Sequence, residues 1–330
     1  MRRTRLTKPQ LPARSGTRWR MHPHPWRRRV GRLALTLLLV GLLTVATISG
    51  YVAAQLTTVP RIALRGTPAD VGLPYTEIVF PARDDHVPLA GWYIDPQHPS
   101  RHCTVVLIHG WLDNREDPSI KLLDLAAGLV QYGYGVFMID LRAHGASAGQ
   151  RVSWGDYERR DVLGAVDYLT QRNDAPACIA GLGFSMGGAT LINAAAEEPA
   201  IRAVVTDSSF ANLRELLNAR IPTESGLPAV FTPPSVLMAR LLYGIDLNQV
   251  QPESQIAALA PRPLLIIHGT ADQVIPAEHA HRLYDAAHNQ HAELWLVPDV
   301  AHVQAYATHP QTYVERVVAV LRRVHAAPSS

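Results

Sequence analysis

The chain has 330 residues, 47% hydrophobic and 18% charged, with 31 Lys and Arg against 28 Asp and Glu, a formal net charge of +3. That composition excludes a disordered or coiled-coil protein. Two cysteines are too few for a disulfide-built scaffold or a cysteine-rich zinc module.

The small net charge is a cancellation. Residues 1–32 hold 11 basic residues and no acid, so the remainder carries 20 basic and 28 acidic residues, a net of −8. A body of that sign repels phosphate, and no nucleic-acid partner is expected. The basic tail is followed by residues 33–60, 28 residues without a charge. A helix needs roughly 20 apolar residues to span a bilayer, and residues 33–56 supply them. Arg27, Arg28, Arg29 and Arg32 at the N-terminal edge place the tail in the cytoplasm and the body outside. The expectation is a single-pass membrane anchor. Val52-Ala53-Ala54 resembles a small-residue cleavage site, so a signal peptide cleaved near Ala54, with secretion, is the alternative. The long basic region and the length of the apolar run favour the uncleaved anchor. Residues 57–74, with Pro60, Gly66, Pro68, Gly72 and Pro74, read as an irregular linker. Removing residues 1–56 is expected to leave a soluble, active body.

Residues 75–330 read as one domain. Two strands are predicted at 75–80 and 89–94, around a turn region. Nearly continuous apolar runs follow at 104–108, 135–139, 179–184, 203–206, 264–267 and 292–297, as in strands buried on both faces of a parallel sheet. Helical patterns at 120–132, 157–170, 186–197, 277–287 and 311–325 alternate with them, which gives a doubly wound α/β sheet. Residues 208–259 break the alternation. Helix-like pieces at 213–220 and 235–242 are separated by Pro222, Pro228, Pro233 and Pro234 where a plain crossover needs only one helix. This region is either a longer crossover or, as read here, a small helical lid over the crevice at the strands' C-terminal ends.

Gly183-Phe184-Ser185-Met186-Gly187-Gly188 lies between a predicted strand and a predicted helix, the context in which Gly-x-Ser-x-Gly is a nucleophile elbow. Ser185 needs a base and an orienting acid, and the elbow places these later in the chain, each just past a strand. Asp272 and His302 occupy those positions. His302 is then the proton carrier and Asp272 the group that fixes its tautomer. Asp207 and Asp299 are rival acids. His109, His144 and His268 also follow strands, and structural hydrogen bonding is the simpler reading of them. The oxyanion needs two backbone donors: the N–H of Met186, after the nucleophile, and that of Trp111, in the loop after the strand at 104–108. No metal or other cofactor is required. His279, His281, His288 and His291 lack a matched acid or cysteine set, and no phosphate-cradling Gly-rich loop with its Lys is found.

These residues resemble the alpha/beta-hydrolase superfamily. The matching segments are His109-Gly110-Trp111, Asp140-Leu-Arg-Ala-His-Gly-Ala-Ser147, Gly-Phe-Ser-Met-Gly-Gly and the surroundings of Asp272 and His302. Within it, the chain looks like compact bacterial hydrolases related to the serine-aminopeptidase and prolyl-oligopeptidase catalytic domains. The resemblance implies a mostly parallel eight-stranded sheet, an acyl-enzyme mechanism and a small-molecule acyl ester, thioester or amide substrate. It leaves the substrate itself open, since the fold hosts many activities. The superfamily's strand order also makes the strands opened by Cys103 and Cys178 neighbours, so these residues form either a disulfide, permitted outside the cytoplasm, or two buried thiols. The leading expectation is a membrane-anchored serine hydrolase. The alternatives are an acyltransferase using the same three residues and a non-catalytic binding protein on the same fold.

Overall fold

A computed structural model describes residues 25–96 and 103–326. The chain divides into two compact units, Met1–Thr44 and Val45–Ser330. In the first, the described residues belong to helix α1 (Pro25–Thr57), whose side chains from Trp26 to Thr44 are exposed. A helix satisfies all its interior backbone groups within itself, the requirement for crossing hydrocarbon. Even the Thr44 hydroxyl donates back to the Val40 carbonyl (2.9 Å). Residues 1–24 of the basic tail lie outside the described residues.

The second unit contains the last turns of α1 and, among the described residues, eight strands: β1 (Thr76–Pro81), β2 (Pro88–Ile94), β3 (Cys103–Ile108), β4 (Gly135–Ile139), β5 (Cys178–Phe184), β6 (Ile201–Asp207), β7 (Leu264–Gly269) and β8 (Ala292–Val297). They form one sheet in the order β1-β2-β4-β3-β5-β6-β7-β8. β2 runs antiparallel to β1 and β4, and every other pairing is parallel. Strands β3, β4, β5 and β7 are buried at every residue, which is why their sequences are unbroken apolar runs rather than alternations. Val106 and Ile108 enter one apolar cluster while Val105 and Leu107 enter another, as the two-residue period of a strand between two layers requires. The covering helices are α2 (Leu122–Gln131), α3 (Glu158–Thr170), α4 (Met186–Glu197), α5 (Leu213–Ser225), α6 (Thr232–Tyr243), α7 (Pro252–Gln255), α8 (Glu278–Ala287), α9 (Ala305–Thr308) and α10 (Pro310–Ala326).

Helices α5, α6 and α7 make up the insertion between β6 and β7. α5 runs through Pro222, where the sequence reading stopped it at 220. Proline removes one helical donor, and the turns around it are held instead by Thr223 and Ser225, whose hydroxyls donate to the Ala219 and Ile221 carbonyls (2.9 and 2.6 Å). Gly226 then ends the helix in the left-handed conformation.

Two segments pack more closely than their sequence shows. Residues 57–74 are irregular apart from a short 3-10 helix at Pro68–Val71, yet Val59 and Leu73 are buried. The strap's polar groups are satisfied by the body. Asn114 Nδ2–H donates to the Ile62 carbonyl (3.1 Å), and the Arg61 guanidinium donates to the Gly149 carbonyl (2.8 Å). Within the apolar run, Ser49, Val52, Ala53 and Thr57 are buried in the second unit. Apolar composition does not distinguish a helix in lipid from a helix against protein, so the sequence assigned the whole run to the membrane. Cys103 and Cys178 are paired residues of adjacent parallel strands and are joined as a disulfide, with Cα atoms 4.5 Å apart.

Candidate active site

Ser185 sits between β5 and α4 with φ 50° and ψ −118°, a strained conformation for a residue with a side chain. The turn holds because glycines surround it. A Cβ on Gly183 would collide with the Gly187 backbone, and one on Gly187 would collide with the carbonyls of Ile108 and His109. The Gly-x-Ser-x-Gly spacing is therefore a record of backbone-to-backbone contact. Ser185 N–H donates to the Asp207 carbonyl (2.8 Å), tying the turn to the end of β6.

His302 follows β8 and Asp272 follows β7, and the structure brings both to Ser185. His302 Nδ1 lies 2.7 Å from Asp272 Oδ2, and His302 Nε2 lies 3.0 Å from Ser185 Oγ. Asp272 Oδ1 accepts the N–H groups of Val274 and Ile275 (2.8 and 2.9 Å). Burial works against its ionisation. Hydrogen bonds from His268 and His302 outweigh that and hold the carboxyl well below the usual carboxylate range. An ionised Asp272 has no proton to give, so His302 carries its proton on Nδ1 and presents Nε2 as acceptor to the serine hydroxyl.

The other sequence candidates take supporting places. Asp299 is exposed, and its N–H bonds Thr270 Oγ1 (2.9 Å). Asp207 is buried and burial pushes it up to about 6. It accepts from Ser208 Oγ (2.9 Å), which itself accepts the Val303 N–H (3.1 Å) beside His302. Ser208 had no sequence signal of its own, because its role depends on two loops meeting. His268 Nε2 lies 3.2 Å from Asp272 Oδ2 and 2.8 Å from the Ile275 carbonyl. It braces the acid loop as well as β7. His109 accepts the Leu141 N–H at Nε2 (3.1 Å) and contacts the Gly110 carbonyl through Nδ1 (2.7 Å). Burial and the nearby His144 lower its pKa, so it holds the Gly110 loop as a neutral ring. In the Asp-x-Arg-x-His-Gly segment, Asp140 accepts the N–H groups of Arg115 and Ala146 (2.7 and 2.8 Å), and Arg142 forks onto buried Asp161.

Met186, buried, is the first residue of α4, so its N–H has no intrahelical acceptor and lies at the positive helix end. Gly110 lies against Ser185, and Trp111 follows it with its ring stacked on Trp154 (centroids 4.7 Å apart). Above Ser185 is a cavity of about 300 Å³ walled by Trp111, Trp154, Leu216, Leu217, Ile221, Ile275 and, from the end of α1, Leu56. Asp113 and Asp117 also face it. Burial and mutual repulsion push Asp113 up to about 7. Among the described residues, no group of three or more His, Cys, Asp or Glu is arranged to hold a metal ion.

Residues 99–242 match the family described as serine aminopeptidase, S33 (Hydrolase_4). The chain is 30% identical over 246 residues to the uncharacterized protein YfhR of Escherichia coli strain K12, covering 73% of this chain and 78% of that one. It is 28% identical to the uncharacterized protein YqkD of Bacillus subtilis strain 168, over 69% of this chain and 73% of the relative. Among solved structures, the esterase Pf2001 of Pyrococcus furiosus superposes with a TM-score of 0.68 and 26% identity, covering 81% of this chain and 98% of that one.

Proposed function

We propose that this chain, which belongs to the alpha/beta-hydrolase superfamily and within it to the serine-aminopeptidase-like Hydrolase_4 family, is a membrane-anchored serine hydrolase of carboxylic esters, thioesters or small amides. The observation that carries the reading is the continuous hydrogen-bonded chain Ser185–His302–Asp272 at the floor of a largely apolar cavity.

In this reading, Ser185 Oγ attacks the acyl carbon and its proton passes to His302 Nε2. Asp272 stabilises the imidazolium it cannot neutralise. The carbonyl oxygen gains its negative charge between the N–H groups of Met186 and Trp111. Collapse breaks the bond to the leaving alcohol, thiol or amine, which takes the proton from His302. Water, deprotonated by the same ring, then releases the acid and restores Ser185. The helical insertion is the lid, its α5 supplying Leu216, Leu217 and Ile221 to the cavity.

Among the described residues, one helix, Trp26–Thr57, is long and apolar enough to cross a membrane. With four arginines at its N-terminal edge, the orientation rule places the catalytic body outside the cytoplasm. Cleavage near Ala54 is disfavoured, because it would cut the helix beside the buried Val52 and Ala53. The test is covalent labelling of the full chain with a fluorophosphonate probe, alongside hydrolysis of p-nitrophenyl acetate. Both signals are expected to vanish in Ser185→Ala, and labelling that survives that substitution removes Ser185 as the nucleophile.

A further inference from the structure

The end of the N-terminal helix is built into the cavity that holds Ser185. Leu56 is one of its walls. The Leu56 carbonyl accepts the indole N–H of Trp154 (2.8 Å), and the Thr57 carbonyl accepts the Val152 N–H (3.0 Å). Trp154 is nearly buried and holds φ 61°, a left-handed conformation that a bulky residue adopts only when its surroundings impose it. In that conformation its ring stacks on Trp111 in the loop beside Ser185. A continuous line of contact thus joins the last turn of α1 to the loop assigned the second oxyanion donor.

One turn earlier, Gly50 faces Met238 and Leu242 of lid helix α6, where a Cβ would meet their side chains at 3.6 and 3.8 Å. The adjoining side of α6 is open. Leu237 and Leu241 are 53% and 68% exposed, Leu242 itself is only partly covered by α1, and Tyr51 of α1 and Val230 just before α6 are equally bare. A grouped set of large apolar side chains on a surface marks a partner or a lipid phase. Tyr51 stands on the same helix as the uncharged run that begins at residue 33, and exposed Arg240, beside Leu237 and Leu241, pairs with Asp246 (3.3 Å).

We propose that the substrate is a long-chain acyl ester dissolved in the bilayer, which reaches Ser185 along the end of α1 and the exposed face of α6, with Leu56 setting how much chain the cavity accepts. This rests on the serine-hydrolase and anchor readings above. It makes α1 part of the specificity apparatus as well as a tether. Its chain would leave lipid for a cavity whose walls include Leu56, Leu216, Leu217, Trp111 and Trp154, with Arg220 and Glu224 of α5 also lining it.

The experiment uses the full chain reconstituted in phosphatidylcholine vesicles. With p-nitrophenyl esters from acetate to dodecanoate, Leu56→Trp is expected to lower the ratio of long-chain to acetate kcat/KM by about tenfold or more, the effect of occluding a methylene or two of pocket. Leu56→Ala is expected to move that ratio the other way. A Leu56→Trp chain with an unaltered ratio overturns the specificity role. In the second arm, Leu237→Ser with Leu241→Ser is expected to lower the rate on a vesicle-embedded ester relative to a water-soluble one. An unaltered ratio there, or light scattering that finds the wild-type chain self-associated and the variant not, assigns the face to something other than lipid and overturns the route. Wild-type chain that takes a fluorophosphonate label at Ser185 but hydrolyses no ester overturns the ester inference alone, whereas chain that takes no label counts against the serine-hydrolase reading.

Discussion

Removal of the N-terminal segment tests whether the end of α1 is part of the folded body. Consider two shortened chains, one beginning at residue 45 and one at residue 57. The first keeps every part of α1 that belongs to the second compact unit. The second loses Val52, 7% exposed, Ala53, fully buried, and the half-buried Leu56. At the usual transfer values, Val52 contributes about 2 kcal/mol and the other two about 1 kcal/mol each. The Trp154 indole N–H loses its acceptor, a cost of about 1 kcal/mol when water reaches it imperfectly. The total, about 5 kcal/mol, is a large share of the stability of an ordinary domain. For a unit of this size it corresponds to a fall in Tm of about 10 to 20 °C. Thermal melts of both chains in one detergent, followed by intrinsic fluorescence, measure the difference. If the two chains melt within about 2 °C of one another, residues 45–56 contribute nothing to the body and the reasoning fails.

Three further outcomes are expected. Asp272→Asn should lower kcat on p-nitrophenyl acetate by about 10³ to 10⁴, because an amide at that place stabilises the wrong tautomer of His302; Asp207→Asn, which reaches the His302 loop only through Ser208, should cost far less, and equal losses would reassign the acid. Asp113 is held up to about 7 by burial and by Asp117, above the ordinary value of about 4 it regains on unfolding. The folded chain therefore holds a proton that the unfolded chain has lost. That contribution to stability is fully present below about pH 4 and disappears as pH rises through about 7. Asp113→Asn should flatten the dependence of Tm on pH between those limits, and an unaltered slope would show that the pair does not titrate there. Finally, the Cys103–Cys178 bond spans 75 residues, so its loss should cost about 4 kcal/mol in the chain-entropy account. Cys103→Ser with Cys178→Ser should show a lower urea midpoint than the oxidised chain, and coincident midpoints would reject the contribution.

Pattern along the chain was enough for the parts of this protein that depend on local rules. The unbroken apolar runs located the parallel strands, since a strand buried on both faces has no polar side to show. The glycines around Ser185 located the elbow, since only bare backbone fits between β3, β5 and α4. Asp272 and His302 stood out as candidates because each stands one loop beyond a strand, in the chain order that an elbow requires, and the structure brings both beside Ser185. The basic residues before an uncharged run gave a helix long and apolar enough to cross a membrane, and the orientation expected of it.

What decided between equals was tertiary. Asp207, Asp272 and Asp299 all end strands or stand near His302, and only the packing of loops puts Asp272 2.7 Å from its ring. His268 and Ser208 became supports because the loops they bridge meet in space. The end of α1 and the strap after it looked like span and linker, because apolar helix and irregular chain read the same against lipid, water or protein. Only the fold shows Val52 and Ala53 in its core and Leu56 in the wall of the cavity. Local sequence specifies which chemistry a residue can offer and which element carries it; which surface that element meets is settled by residues far away in the chain.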